Sequence, residues 1–270
     1  MPEPTNAMEI FKQLPRTNCG KCGIPACLAF AAAVFRGDNL LEDCPHVSRD
    51  TIERLGWVRP DQTSVEEEEE LALEPLKRGV ASIDFSSSAE RLDARFSGGR
   101  LTINSLGKEF SVDSEGNVFS DCHVHHWIVG PLLSYIITCA GKPLSGKWVR
   151  FSDLRKGADW NPLFRQRCEK PLKRIIDDHT DLFELMIEIF NAVPVPTESS
   201  ADISIVLYPL PRVPILLLYW SAEDGIDSQL SVLFDSTADA NLGIEAIYSL
   251  AVGLVIMFDR IVDTHARKAS

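Results

Sequence analysis

The sequence predicts an α+β fold: a small helical four-cysteine module followed by a larger domain of antiparallel strands and helices. Three observations carry this. Four cysteines crowd into the first 44 residues, amid alanine-rich helical sequence. The remainder holds short alternating segments separated by Gly-, Asn- and Pro-rich turns. Strand runs and helical runs do not alternate regularly, which argues against a parallel doubly wound sheet. The expected organisation is a cysteine module over residues 1–58, an acidic linker over 59–74 and an α+β domain over 75–265.

Thr5 to Leu14 reads as an amphipathic helix. Thr5 or Asn6 can cap it, Met8, Phe11 and Leu14 recur at helical spacing, and Pro15 ends it. Pro25 opens a second helix, Ala26 to Arg36, stopped by Gly37. Ser48-x-x-Thr51 to Leu55 suggests one more short helix, closed by Gly56. Glu66–Glu70 repel one another, which suits a solvated linker or helix face.

Leu76 to Ile83 continues as helix. Arg91–Phe96 and Leu101–Ile103 alternate around Ser97-Gly98-Gly99, a hairpin signature. Lys108–Asp113 adds a third strand and ends in the turn Ser114-Glu115-Gly116-Asn117. His125 to Ala140 is helical, with its start or a kink expected near Gly130 because Pro131 lies inside. Trp148–Phe151 reads as a strand, and Ser152-Asp153 and Asn161-Pro162 as helix starts. Leu163–Ile176, broken or kinked at Pro171, and Leu182–Val193 read as helices; Val193-Pro194-Val195-Pro196 reads as a stiff turn. Ile203–Leu207, Ile215–Trp220 and Leu230–Phe234 are β runs. Leu242–Val262 is a long helix with Leu250, Leu254, Phe258 and Ile261 on one stripe.

The chemistry lies in Cys19, Cys22, Cys27 and Cys44, spaced C-x2-C-x4-C-x16-C. A cubane iron–sulfur cluster calls for soft thiolates on four irons, several of them from one tight loop. Gly20 and Gly23 let the backbone fold round an inorganic core and aim amides at sulfur. A four-thiolate structural zinc site is the rival, although zinc ribbons present two separated C-x2-C knuckles. Disulfides are the second rival. Met1–Met8 is polar and no apolar leader precedes the motif, so a reducing cytoplasm is expected. Cys27 falls in the first turn of the predicted helix, whose free amides and positive end favour the more negative, reduced cluster. Arg16 and Lys21 act in the same direction, while burial under Phe30, Val34 and Phe35 opposes it.

The stretch Leu14-Pro15-Arg16-Thr17-Asn18-Cys19 through Cys27 to Ala31 resembles the four-iron domain of the corrinoid/iron–sulfur protein large subunit. The B subunit of the Rnf electron-transport complex carries a similar domain. The resemblance covers about the first 55 residues. It implies one [4Fe-4S] cluster bound by Cys19, Cys22, Cys27 and Cys44 and an electron-transfer role, with a corrinoid protein or a reductase as redox partner in an anaerobe. Leu144-x-Gly146-x-Trp148, Leu210-Pro211-Arg212-Val213-Pro214 and Leu233-Phe234-Asp235 resemble recurring stretches of an uncharacterised family found behind such modules. That second resemblance implies no activity.

Asp and Glu number 39 against 27 Lys and Arg, a net charge of −12. This argues against nucleic acid and against an anionic membrane surface. Trp127–Gly141 and Leu242–Phe258 fall short of the roughly 20 apolar residues of a membrane span. Phosphate-loop, dinucleotide, nucleophile-elbow and zincin motifs are absent. The chain therefore reads as an electron-transfer or accessory protein rather than a stand-alone enzyme; the alternative is a binding or regulatory module with a structural or redox-sensing cluster.

Outside the module, Cys122, Cys139 and Cys168 read as buried thiols and His46 as a surface residue. His123 and His125 share one face of an extended segment, which reads as a polar loop more than a metal site. Arg212, on a proline-stiffened loop, suits a salt bridge or an anion. Asp235-Ser236-Thr237 suits a helix cap.

Overall fold

The computed structural model describes every residue except 1–5, 36–38, 49–50, 53–61, 123, 197–200, 224 and 270. The chain divides into two units, Met1–Ala72 and Leu73–Ser270.

In the first unit Asn6 caps α1 (Ala7–Gln13), its Oδ1 accepting the Glu9 amide at 3.1 Å. Ile10 and Leu14 are buried, whereas Met8, expected on the same stripe, is exposed. The second helix, α2, is Cys27–Phe35. It starts two residues after Pro25, with the Ala26 carbonyl accepting its first amide, that of Phe30, at 2.9 Å. Ile10, Leu14, Phe30, Ala31, Val34 and Leu41 form a small core of their own. The predicted stop at Gly37 lies outside the described residues. Of the predicted helix after Ser48, Thr51 and Ile52 are helical, and the Ser48 hydroxyl accepts the Thr51 amide at 3.3 Å. Residues 62–74, expected as part of an acidic linker, fall in helix α3 (Gln62–Ala81).

The second unit opens, after α4 (Phe85–Ser88), with a four-stranded antiparallel meander. Its strands are β1 (Arg95–Ser97), β2 (Arg100–Ser105), β3 (Lys108–Val112) and β4 (Val118–Phe119). Gly98-Gly99 turns β1 into β2 with φ of 57° and 78°, the positive values that a two-residue hairpin with the right twist demands. Leu106-Gly107 repeats the device at 51° and 74°. Strand β4, beyond the three expected, pairs with β3 through Ser111↔Phe119 and Val112↔Val118.

Helix α5 (His126–Thr138) begins before Gly130 and carries Pro131 within it. Arg91 closes its far end, donating to the carbonyls of Ile136 at 2.7 Å and Cys139 at 2.6 Å. A guanidinium there satisfies orphan carbonyls and complements the negative helix end. Strand β5 (Trp148–Arg150) follows, then α6 (Gly157–Phe164), a π-helical turn (Arg165–Glu169) and α7 (Lys170–Asp178). The expected break at Pro171 takes the form of that wide turn, in which the Lys170 amide reaches Arg165 O. Pro171 has no amide to donate, and its ring would clash with a carbonyl four residues back in a regular helix.

Helix α8 (Thr180–Ile189) leads to β6 (Val193–Pro194), where a stiff turn was expected. The segment pairs with β7 (Ile203–Leu207) at the sheet edge, where a proline without a donor is tolerated. With β8 (Ile215–Trp220) and β9 (Gln229–Asp235), the order is β5-β9-β8-β7-β6, antiparallel throughout. Alternation sends Ile205, Leu207, Ile215, Leu217, Val232 and Phe234 into the main core. The opposite face carries a second apolar group, Val206, Leu216 and Leu218. The chain ends in α9 (Ala238–Asn241) and α10 (Ile244–Ala269), whose Leu250, Leu254 and Phe258 are buried.

Candidate metal centre and its surroundings

The cysteine loop is shaped by backbone conformations that most residues avoid. Arg16, Asn18, Gly20 and Gly23 all have positive φ, between 49° and 81°. The Gly23 amide closes a tight turn on Gly20 O at 3.0 Å, with Lys21 and Cys22 at its tip. A Cβ at Gly23 would meet no atom within 4 Å, so glycine serves the dihedral there, not the packing.

Cys27 and Cys44 are buried in the small core of the first unit, and Cys22 packs against it. Cys19 is exposed on the loop. None of the seven cysteines forms a disulfide. Asn18 organises the junction. Its Oδ1 accepts the Cys27 amide at 2.8 Å, satisfying a donor at the start of α2, and its own amide points to Cys27 Sγ at 3.4 Å. Sequence reasoning looked to the glycines for such amides and missed Asn18. An Asn before the first cysteine, a residue tolerant of left-handed φ and able to cap a helix, was the available signal.

Cys19 differs from its partners. Hydrogen bonds from the Lys21 amide and the Thr17 hydroxyl hold its thiol below the usual range. Arg16 turns back toward α1, donating to Lys12 O at 3.3 Å with its guanidinium 5.3 Å from the Phe11 ring centre. Among the described residues no three His, Cys, Asp or Glu side chains group as one metal ion would require. A cubane places each thiolate on a different iron, so its ligands stand further apart than those of a single ion. Four thiols, a glycine-shaped loop and an amide aimed at sulfur fit such a group.

In the second unit Cys139 and Cys168 are buried as expected, and burial pushes the Cys168 thiol up. Cys122 is exposed instead, 3.1 Å from the Ser120 hydroxyl, because it follows the short edge strand β4 rather than entering the core. His46 is exposed, as expected. His123 lies outside the described residues, and His125 precedes α5 and stacks on Trp127. Arg212 makes no salt bridge among the described residues. Its side chain donates to Arg91 O at 2.7 Å and Glu90 O at 3.1 Å.

Asp235 does more than cap a helix. It is 1% exposed and accepts from the amides of Ser145, Gly146 and Thr237 and from the hydroxyls of Ser145 and Thr237. Burial alone would raise its carboxyl; the hydrogen bonds from Thr237, Ser145 and Gly146 prevail and hold it below the ordinary range. Two of the recurring stretches, Leu144 to Trp148 and Leu233 to Asp235, thus meet at one carboxylate.

The fold and the loop together define an α+β protein with an iron–sulfur-type cysteine domain in front. Residues 14–46 match the family model described as "Putative Fe-S cluster". Residues 84–257, more than half of the chain, match the model described as "Domain of unknown function (DUF3786)", and the chain belongs to that family. The curated relatives that follow match short stretches of the chain. The chain is 50% identical over 52 residues to the corrinoid/iron–sulfur protein large subunit of Moorella thermoacetica. It is 41% identical over 54 residues to the gamma subunit of the acetyl-CoA decarbonylase/synthase complex of Methanocaldococcus jannaschii. It is 43% identical over 61 residues to the B subunit of the ion-translocating oxidoreductase complex of Vibrio campbellii. These alignments take in 19%, 20% and 23% of this chain and 12%, 11% and 28% of the relatives, so the chain spans a small part of their length. No solved structure matches the chain significantly. Among the described residues no helix is long and apolar enough to cross a membrane.

Proposed function

We propose that Cys19, Cys22, Cys27 and Cys44 hold one [4Fe-4S] cluster and that the protein passes single electrons between redox partners. The partner class is a corrinoid protein or a reductase, in the cytoplasm of an anaerobe. The working division is a cluster module over 1–58, an acidic connection over 59–74 and an α+β domain over 75–265. One observation carries the reading: Cys44, distant in sequence, shares the small core with Cys27 and Cys22.

When bound, such a cluster supplies a one-electron couple whose potential the protein tunes. The chain's own contributions come from its geometry. The start of α2 at Cys27 offers a positive helix end, and the Asn18 amide directs a donor at sulfur. Both favour added negative charge and raise the potential. Phe30 and Val34, fully buried beside Cys27 in the core, disfavour added charge and lower it. Exposed Cys19 leaves one edge of the loop open to a docking protein.

Anaerobic reconstitution of the full chain tests this. About four irons and four sulfides per chain are expected, with an EPR signal after dithionite reduction. Replacing Cys44 with Ser should abolish them, whereas Cys122→Ser should leave them unchanged. Stoichiometric zinc and no sulfide in protein purified without oxygen would overturn the reading.

A further inference from the structure

Two cavities adjoin in the second unit, with Trp127 between them. One, of about 230 Å³, is walled by Phe110, Ile128 and Phe190 and includes Lys108. The other, of about 270 Å³, is bounded by Arg260, Ile261 and His265. Both share His125, Trp127 and Met257. An apolar cavity of about 150 Å³ already admits benzene, so either space takes a ring.

The charge of this region is opposite to that of the chain. Overall there are 39 acidic against 27 basic residues, yet no Asp or Glu lines either cavity, while Lys108, Arg260 and two histidines do. Among the described residues neither Lys108 nor Arg260 forms an ion pair with its side chain. Lone cations around an apolar hollow are the features that fix an organic anion.

The indole ring between the cavities is fixed in place. It lies on the backbone of Gly253, where a Cβ would come within 2.8 Å of Cδ2, and His125 stacks on it with centroids 5.9 Å apart. A rigid aromatic wall suits a flat partner.

We propose that these cavities bind a small organic carboxylate with an apolar, preferably aromatic, body. The apolar part fills the hollow beside Phe110 and Phe190. The carboxylate pairs with Lys108 or Arg260. The proposal stands apart from the cysteine module and needs no cluster.

Calorimetry on the full chain with 2-naphthoate as probe tests it, alongside neutral 2-naphthylmethanol and acetate. Naphthoate should bind, and the neutral ring and the bare carboxylate should each bind about tenfold more weakly or worse. Arg260→Gln or Lys108→Gln, both at exposed positions, should weaken naphthoate by about fivefold or more. The idea is overturned if folded protein shows no heat with naphthoate up to about 1 mM. It is equally overturned if 2-naphthylmethanol binds as well as naphthoate, or if both charge variants bind like the parent.

Discussion

Asn18 and Cys27 hold each other at two points: the Asn18 side chain accepts the Cys27 amide at 2.8 Å, and the Asn18 amide points to the Cys27 sulfur at 3.4 Å. Nine positions apart in sequence, they close the loop that carries Cys19 and Cys22. Asn18 sits at φ 49°, where alanine is strained and glycine is not. Asn18→Ala should therefore cost about 1–2 kcal/mol, from a lost cap and a strained backbone. Asn18→Gly should lose only the cap. Iron release to a chelator, followed by absorbance, should be fastest in the alanine variant, slower in glycine and slowest in the parent. Equal rates in all three would remove Asn18 from the account.

Gly253 is where α10 makes room for an indole. The ring of Trp127 occupies the space of a side chain there. Gly253→Ala should destabilise the second unit by about 1–3 kcal/mol through overpacking, despite the better helix propensity of alanine. A thermal melt monitored by circular dichroism measures this. A rise in melting temperature would mean that the helix gain outweighs the clash.

Asp235 ties the segment before β5 to the end of β9. Its carboxyl lies below the ordinary value of about 3.9, so its stabilisation is full above the unfolded value and fades as pH falls through the folded one. Asp235→Asn should cost about 2–3 kcal/mol near neutral pH, because five donors then compete for one amide oxygen. The stability gap between parent and variant in urea titrations should be flat above about pH 5 and narrow below about pH 4.

Tyr219 makes the opposite kind of link. Burial, with the acceptance of its hydroxyl by Asp177 at 2.7 Å, pushes the phenol up to about 12. A raised value gives stability that is complete below about pH 10, the unfolded value, and is lost as pH climbs through the folded one. Tyr219→Phe should be less stable by about 1–2 kcal/mol at neutral pH. The gap should shrink between about pH 10 and about pH 12, read by urea titration in alkaline buffers.

Much of this was legible where one residue type leaves the chain little choice. Gly98-Gly99 announced a hairpin because two successive positive φ values are open to glycine, and the registry of β1 and β2 obeyed it. The β runs of the second sheet were plain because their apolar residues alternate or run unbroken. Val193-Pro194 was hidden, since a proline that forfeits a ladder donor looks like a turn until an edge position makes the loss harmless. The glutamate run was read as a solvated linker or a helix face because repulsion is visible in sequence, and it falls within a helix. The hold of Asn18 on Cys27 needed the curl of the loop, which spacing alone does not convey. Arg212 misled because carbonyl acceptors have no sequence signature, unlike carboxylates.

The wide turn at Arg165–Glu169 holds one residue more than a regular turn would. Such a turn absorbs its extra residue, and the helical segments on either side keep their relative phase. Phe164, ahead of the turn, and Leu172, Ile175 and Ile176, beyond it, all face inward. Deleting one residue there would regularise the coil and leave that later stripe facing the core. Pro171 would then meet the carbonyl it now avoids, so this single inserted position is what lets a proline stand inside one long helical run.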